Sequence, residues 1–163
     1  MRVLVAYGTK MNGTQGIADR IATELRRVGL DVTELNAADV TSLDYDAAVV
    51  GSAIYATRWR GEAVRVLKRL AGRPANLPVW LFHSGPIGDE AKTPQNLPRR
   101  VARLAERLDV RDVATFGGRI PADGGGPIVA AMARDGKAGD WRDFEEVAAW
   151  AQGIADSLGA TAR

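Results

Sequence analysis

Short apolar runs alternate along this chain with segments of helical periodicity, and this alternation limits the folds that the sequence can adopt. Continuous apolar residues suit strands buried on both faces, and they occur at 3–7, 47–51 and 79–82, with shorter candidates at 32–35 and 113–116. Apolar residues spaced by three or four predict helices between these runs. Right-handed crossovers then favour an α/β fold, in which a five-stranded parallel sheet has helices on both faces.

The sequence predicts a last helix that begins at Asp140. This residue has the side chain of an N-cap, and the acidic residues after it would lie favourably in the first turn. The buried stripe of this helix is predicted to consist of Phe144, Val147, Ala151, Ile154 and Leu158. With 163 residues, the chain is long enough for one ordinary domain, predicted to span residues 1–163.

Composition excludes several kinds of chemistry. The chain contains no cysteine, so thiol nucleophiles, thiolate zinc sites and iron–sulfur clusters are excluded, and any cofactor must be held without a covalent thioether bond. No metal site is predicted. No apolar run approaches the length of a secretory or membrane-spanning segment, so we expect a cytoplasmic protein.

Basic residues are clustered although the formal net charge is only +2. The two clusters are Arg58, Arg60, Arg65, Lys68, Arg69 and Arg73, and then Arg99, Arg100, Arg103 and Arg107. Solvated helix faces are the favoured interpretation. The alternative is a docking face for an acidic partner, an anionic substrate or a membrane surface.

The loop GTKMNGTQ, after the first predicted strand, has the features of a phosphate site. Thr9, Asn12 and Thr14 supply side-chain donors, and the free N–H groups of a helical turn follow. Lys10 is the nearby cation. Simple helix capping by Thr or Asn is the alternative. The common phosphate loops G-x-x-x-x-G-K-[ST] and G-x-G-x-x-G are both missing from this stretch.

The spacing of Tyr7, Thr9, Thr14 and Ala18 resembles the phosphate loop of flavodoxins. The resemblance implies a flavodoxin-like three-layer sandwich with strand order 2-1-3-4-5, and it implies FMN as cofactor. The terminal phosphate of FMN would bind Thr9, Lys10, Met11, Asn12, Gly13, Thr14 and Gln15. Asn12 stands where the family usually has glycine, but asparagine tolerates a left-handed backbone, so we expect the loop to form.

The resemblance assigns the ends of two further strands to the flavin ring. After the third strand, hydrogen bonds and stacking would come from Ser52, Ala53, Ile54 and Tyr55, with Tyr55 the first candidate for the stacked ring. After the fourth strand, the flavin carbonyls and N3 would bind the backbone of Ser84, Gly85, Pro86, Ile87 and Gly88. Core or groove packing is favoured for Trp59 over contact with the ring edge.

Two other features near these loops have open interpretations. His83 is the only histidine; a packed structural role is favoured, and a proton donor or electrostatic partner for reduced flavin is the catalytic alternative. Two interpretations of segment 121–132 are equally favoured: a roof over the flavin and a mobile surface loop.

Four stretches and the C-terminal GDWRDFEEVAAWA are most similar to the bacterial flavodoxin-domain group that includes menaquinone-dependent protoporphyrinogen oxidase. The stretches are YGTK, GSAIY, LFHSGPIG and FGGRI. This resemblance implies an FMN-dependent oxidoreductase that passes electrons from an organic donor, such as a porphyrinogen, to a quinone. The alternative is an electron carrier that docks to redox partner proteins, which this slightly basic chain disfavours because shuttle flavodoxins tend to be acidic.

Overall fold

The apolar runs form the strands of a central sheet in the computed structural model of the protein, which describes residues 1–123 and 126–160 apart from the side chain of Tyr55. The strands are β1 (Arg2–Gly8), β2 (Asp31–Asn36), β3 (Ala47–Tyr55), β4 (Arg58–Trp59), β5 (Val79–Ser84), β6 (Asp112–Phe116), β7 (Arg119–Ile120) and β8 (Gly139–Asp140). The helices are α1 (Gly13–Arg27), α2 (Gly61–Ala71), α3 (Arg99–Leu108), α4 (Pro127–Arg134) and α5 (Phe144–Ser157).

Five parallel strands lie side by side in the order β2-β1-β3-β5-β6. This order confirms the predicted 2-1-3-4-5 arrangement, because β4 is a two-residue strand that pairs antiparallel with the end of β3. A separate antiparallel pair, β7 with β8, lies outside the main sheet. Among the described residues, no helix is both long enough and apolar enough to cross a membrane.

Alternate residues of each central strand point into two cores on opposite faces of the sheet. Val5 and Phe82 lie in the core beneath α1 and α5, whereas Leu4 and Leu81 lie in the core beneath α2 and α3. Gly51 is required opposite Phe82, because a Cβ at position 51 would overlap the phenyl ring. Both faces are therefore closed, and the exposed rim at the carboxyl ends of the strands is left to form a site.

The third strand is longer than the sequence predicted. Residues 52–55 were expected in a loop, but they continue β3 because Ser52 pairs with β5 and residues 54 and 55 pair with β4. The connection to β4 is a two-residue turn in which Ala56 (φ 47°) and Thr57 (φ 62°) both have left-handed backbones. Trp59 consequently lies in strand β4.

The last helix begins three residues later than predicted. Asp143 is the N-cap of α5, and its carboxylate accepts hydrogen bonds from the backbone N–H groups of Glu145 and Glu146. Asp140 does not cap the helix because its carboxylate is held by the guanidinium of Arg142, at 2.7 Å.

Candidate functional site

A cavity of about 250 Å³ opens at the carboxyl ends of β1, β3 and β5. Ten of the residues predicted to bind FMN line it: Thr9, Lys10, Met11, Gly13, Thr14, Ala53, Ile54, Ser84, Gly85 and Ile87. The three strand ends named by the sequence thus meet at one cavity, where parallel sheets bind their ligands.

The first loop carries polar side chains ahead of α1. Asn12 adopts a left-handed backbone (φ 59°) as the N-cap of α1, and its side chain makes no capping hydrogen bond. The hydroxyl oxygen of Thr9 is buried and has no hydrogen-bond partner among the described residues. A buried hydroxyl without a partner is costly, so this loop has the donors of an anion site still to be satisfied.

The first loop is joined to the end of β5 by a buried hydrogen bond. The hydroxyl oxygens of Thr14 and Ser84 lie 2.9 Å apart, and both residues are almost fully buried. Beside them, the backbone of Gly85 lies against Gly118, where an added Cβ would stand 3.1 Å from the Gly85 carbonyl oxygen. Small residues therefore bring backbone groups close together at this wall of the cavity.

Some predicted residues lie outside the cavity lining. These are Asn12, Gln15, Ser52, Pro86 and Gly88. Ser52 is fully buried in the β3–β4 hairpin, where its hydroxyl donates to the Ala53 carbonyl and accepts from the Arg60 N–H. Its hydrogen bond to the flavin stays a prediction. The side chain of Tyr55 lies outside the described part of the chain, so its stacking role stays a prediction.

His83 and Trp59 form part of the wall behind the cavity rather than its lining. The side chain of His83 is fully buried, and its Nδ1 accepts a hydrogen bond from the indole N–H of Trp59 at 3.4 Å. Its Nε2 lies 2.8 Å from the hydroxyl of Thr115. Burial lowers the pKa of His83 to about 4, so the ring is neutral near neutral pH. These contacts support the structural interpretation of both residues.

The sequence prediction missed part of the opposite wall. The residues concerned are Ala56, Gly118, Arg119 and Ile120. Met132 lies in α4 and lines the cavity, so the segment 121–132 contributes a side chain to the cavity, as its interpretation as a roof requires; residues 124 and 125 lie outside the described residues. Proline at the first position of α4, after Gly126, is the sequence signal that could have revealed this helix.

We use the name clasp for β7, β8 and Arg142, which together hold the first loop from the C-terminal side. The guanidinium of Arg142 donates to the Gly13 carbonyl at 3.3 Å, forms an ion pair with Asp140 and lies 4.9 Å from the centre of the Phe144 ring. These hydrogen bonds from Arg142 lower the pKa of Asp140. Only 11% of the Arg142 side chain is exposed, so its contacts fix the clasp to the loop.

The clasp also brings a second cation to the first loop. Arg119 lines the cavity beside Lys10, and a Cβ added at Gly13 would lie 3.4 Å from the Cβ of Arg119. The cavity lining therefore combines a hydroxyl with no partner in the described chain, a helix N-terminus and two basic residues. This set of groups matches a phosphate, because each of them favours negative charge.

Comparison with known proteins gives the family. Residues 4–124 match the family model described as Flavodoxin domain. The chain therefore belongs to the flavodoxin domain family. No curated protein sequence matches it at a significant level.

Solved structures show the same fold at low sequence identity. A flavodoxin from Streptococcus pneumoniae TIGR4 has a TM-score of 0.67 and 18% identity, with coverage of 96% of this chain and 99% of that chain. A flavodoxin from the domain Archaea has a TM-score of 0.67 and 15% identity, covering 98% and 99%. Rubredoxin oxygen:oxidoreductase from Desulfovibrio gigas has a TM-score of 0.68 and 18% identity, covering 98% of this chain and 36% of that chain.

FMN is the cofactor of flavodoxin domains, and this chain is an FMN-binding flavoprotein of that family. The residues present fit the group. The buried hydroxyl of Thr9 has no partner in the described chain and lies at the phosphate end, while Gly85 and Gly118, packed against each other at one wall, allow close backbone approach.

Proposed function

We propose that this protein is an FMN-dependent oxidoreductase that takes electrons from an organic donor, a porphyrinogen, and passes them to a quinone. The observation that carries the proposal is the apolar character of α4 beside the cavity. Met132 lines the cavity, and Ile128, one turn earlier on the same helix face, is 60% exposed. An exposed apolar side chain on a helix that lines the cavity suits an apolar ring compound such as a quinone.

The residues of the chain would hold and orient the cofactor. Thr9, Thr14 and the N–H groups of the first turn of α1 would bind the phosphate, with Arg119 adding positive charge. The backbone at Gly85 and Gly118 would lie against the flavin ring, and α4 would cover it from the solvent side. When bound, FMN supplies the electron-accepting ring, and the protein supplies position and charge.

An anaerobic turnover assay tests this proposal. The FMN-loaded protein is mixed with protoporphyrinogen, with and without a menaquinone analogue, and porphyrin fluorescence is followed. Porphyrin formation that depends on the quinone is expected. Fast reduction of the flavin by a ferredoxin reductase, without porphyrin formation, would contradict the proposal and favour an electron carrier. A protein whose visible spectrum shows no flavin after incubation with FMN would contradict both functions.

Ile128→Ser tests the role of α4 within the same assay. Removal of the apolar side chain is expected to raise the KM for the menaquinone analogue by about fivefold, because roughly 1 kcal/mol of apolar contact is lost, with little change in FMN affinity. Val113→Ser is the matched control, because Val113 is also a large exposed apolar residue and lies on the edge strand β6. An equal change in both variants would contradict a quinone contact at α4.

An electron carrier that docks to redox partner proteins is the second candidate function. A groove lined by basic side chains beside the cavity favours it, because transient redox complexes are commonly guided by charge. The carrier predicts flavin reduction and reoxidation by partner proteins without turnover of an organic substrate.

A further inference from the structure

We propose that the groove between α2 and the amino-terminal end of α3 docks the acidic face of a redox protein. We call it the basic groove. Its floor contains Trp59 and Val64, its volume is about 780 Å³, and its cations are Arg58, Arg65, Lys68, Arg99 and Arg100. The inference goes beyond the proposed donor and quinone because it names the docking surface and the charge of a protein partner, and it applies equally to the enzyme and to the carrier.

Positive charge is concentrated in the basic groove and is not neutralised there. Within the described part of the chain, its lining includes no acidic residue, and none of its five cations forms an ion pair. All five side chains are exposed. The whole chain has a formal net charge of only +2, so the remaining residues are net negative and the charge is separated across the surface. Such separation orients an oppositely charged partner as it approaches.

The start of α3 adds to this positive potential. Arg99 and Arg100 are its first two residues, its first turn has no acidic side chain, and the N-cap Pro98 provides no side-chain acceptor. Cations at a helix N-terminus oppose the helix dipole and cost stability. A local cost of this kind is expected at a functional surface, and an acidic partner would offset it.

The form of the groove favours a protein over a small anion. The cations extend from three different elements around an open surface, and the buried lining side chains, Trp59 and Val64, offer no free donor to orient a small ligand. The indole N–H of Trp59 already donates to His83. Long exposed side chains of this kind increase association rates between proteins and discriminate partners by charge.

The location of the groove connects docking with the cofactor site. Ala56 lines the flavin cavity, whereas the next two residues, Thr57 and Arg58, line the basic groove. A protein seated in the groove would therefore lie beside the hairpin turn that borders the flavin cavity.

Binding of a [2Fe–2S] ferredoxin, a small acidic redox protein, tests the proposal. The oxidised FMN-loaded protein is titrated by calorimetry at about 20 mM salt and again at about 0.5 M salt, where charge interactions are screened. Binding at low salt and its loss at high salt are expected. Arg65→Glu/Lys68→Glu should weaken binding at low salt by about tenfold or more. Cytochrome c, a basic redox protein, should bind weakly to the wild type and gain affinity in this variant.

Arg107→Glu/Arg111→Glu is the matched control. It changes the net charge equally, but Arg107 lies in the last turn of α3 and Arg111 precedes β6, at the opposite end of the strands. Equal weakening in both double variants would overturn the groove as the docking surface. Absence of ferredoxin binding by the wild type would overturn an acidic protein partner. Stronger binding of phosphatidylserine vesicles than of ferredoxin, lost in Arg65→Glu/Lys68→Glu, would overturn it in favour of a lipid surface.

The binding assay separates this inference from the proposed function. Failure of porphyrinogen turnover with intact ferredoxin binding would remove the proposed donor and leave the docking surface. Turnover of the porphyrinogen without ferredoxin binding would support the proposed donor and overturn the docking surface.

Discussion

The flavin cavity and the basic groove are separated by one two-residue turn, yet they are built in different ways. The cavity is formed by small residues, buried hydroxyls and backbone groups held by hydrogen bonds, such as Thr14 with Ser84. The groove is formed by exposed cations, which form no ion pair with the described residues, above a buried indole. A rigid cavity gives up little entropy on binding and suits a retained cofactor, whereas flexible surface charges suit a partner that must leave again.

The Trp59–His83 pair lies between the two regions. The largest expected effect is that of protonating His83 on the free energy of unfolding. Because the native pKa of His83 is about 4 and the unfolded value is about 6.5, only the unfolded chain takes up this proton between those values. The free energy of unfolding should therefore fall by about 3 kcal/mol as the pH is lowered from about 7 to about 4.

His83→Gln should remove this contribution, and urea unfolding at several pH values measures it. The variant is expected to be less stable than the wild type near neutral pH, because the imidazole fills buried space between the two regions. The difference between the two proteins should shrink as the pH falls. A variant that retained the full wild-type pH dependence would show that His83 is not the responsible group.

Thr9→Val tests the cavity alone. The hydroxyl of Thr9 is buried without a partner in the described chain, so its replacement by a methyl group should leave the apoprotein equally stable or more stable. The Kd for FMN should rise roughly 10- to 100-fold, because a hydrogen bond to a charged phosphate is lost.

Riboflavin and a second threonine supply the controls for Thr9→Val. Riboflavin lacks the phosphate, so its Kd should not change, and both affinities are measured by quenching of flavin fluorescence. Thr57→Val alters a hydroxyl on the groove side of the turn and should leave both affinities unchanged. Equal weakening of FMN and riboflavin by Thr9→Val would place its hydroxyl away from the phosphate.

Arg119→Gln changes the cavity, and Arg58→Gln changes the groove. These two substitutions have the smallest expected effects on binding. Arg119 lines the cavity, so its loss should weaken FMN by about fivefold at low salt, and less at high salt, without weakening riboflavin. Arg58 lines the groove, so its loss should weaken ferredoxin by a similar factor and leave FMN unchanged. If either variant affected both ligands equally, the two regions would not be independent sites.

The fold and three walls of the cavity could be predicted from the sequence for one physical reason. Buried parallel strands need continuous apolar runs, and their carboxyl ends meet at one rim, so the loops after β1, β3 and β5 could be assigned to one site. The left-handed backbone of Asn12 agrees with the expectation that asparagine can replace glycine there. That residues 1–163 form one domain stays a prediction.

The clasp could not be predicted because its signals are short and its partners are distant. β7 and β8 are two residues each, too short to show an alternating pattern, and Arg142 binds a carbonyl 129 positions earlier. The choice between Asp140 and Asp143 as N-cap was decided by the same arginine, since Asp140 is already paired with it. The contact between Arg142 and Gly13 is a tertiary contact that local sequence does not record, whereas the Asp140–Arg142 pair joins residues only two apart.

The hydrogen bond between Arg142 and Gly13 also bears on how the protein is made. The first loop is synthesised before the side chain of Arg142, which follows Gly13 by 129 positions. Arg119 and Ile120 line the cavity and Arg142 donates to the first loop, so a nascent chain that has not reached residue 142 lacks these contacts. We therefore expect stable binding of the cofactor only after residue 142 has been added.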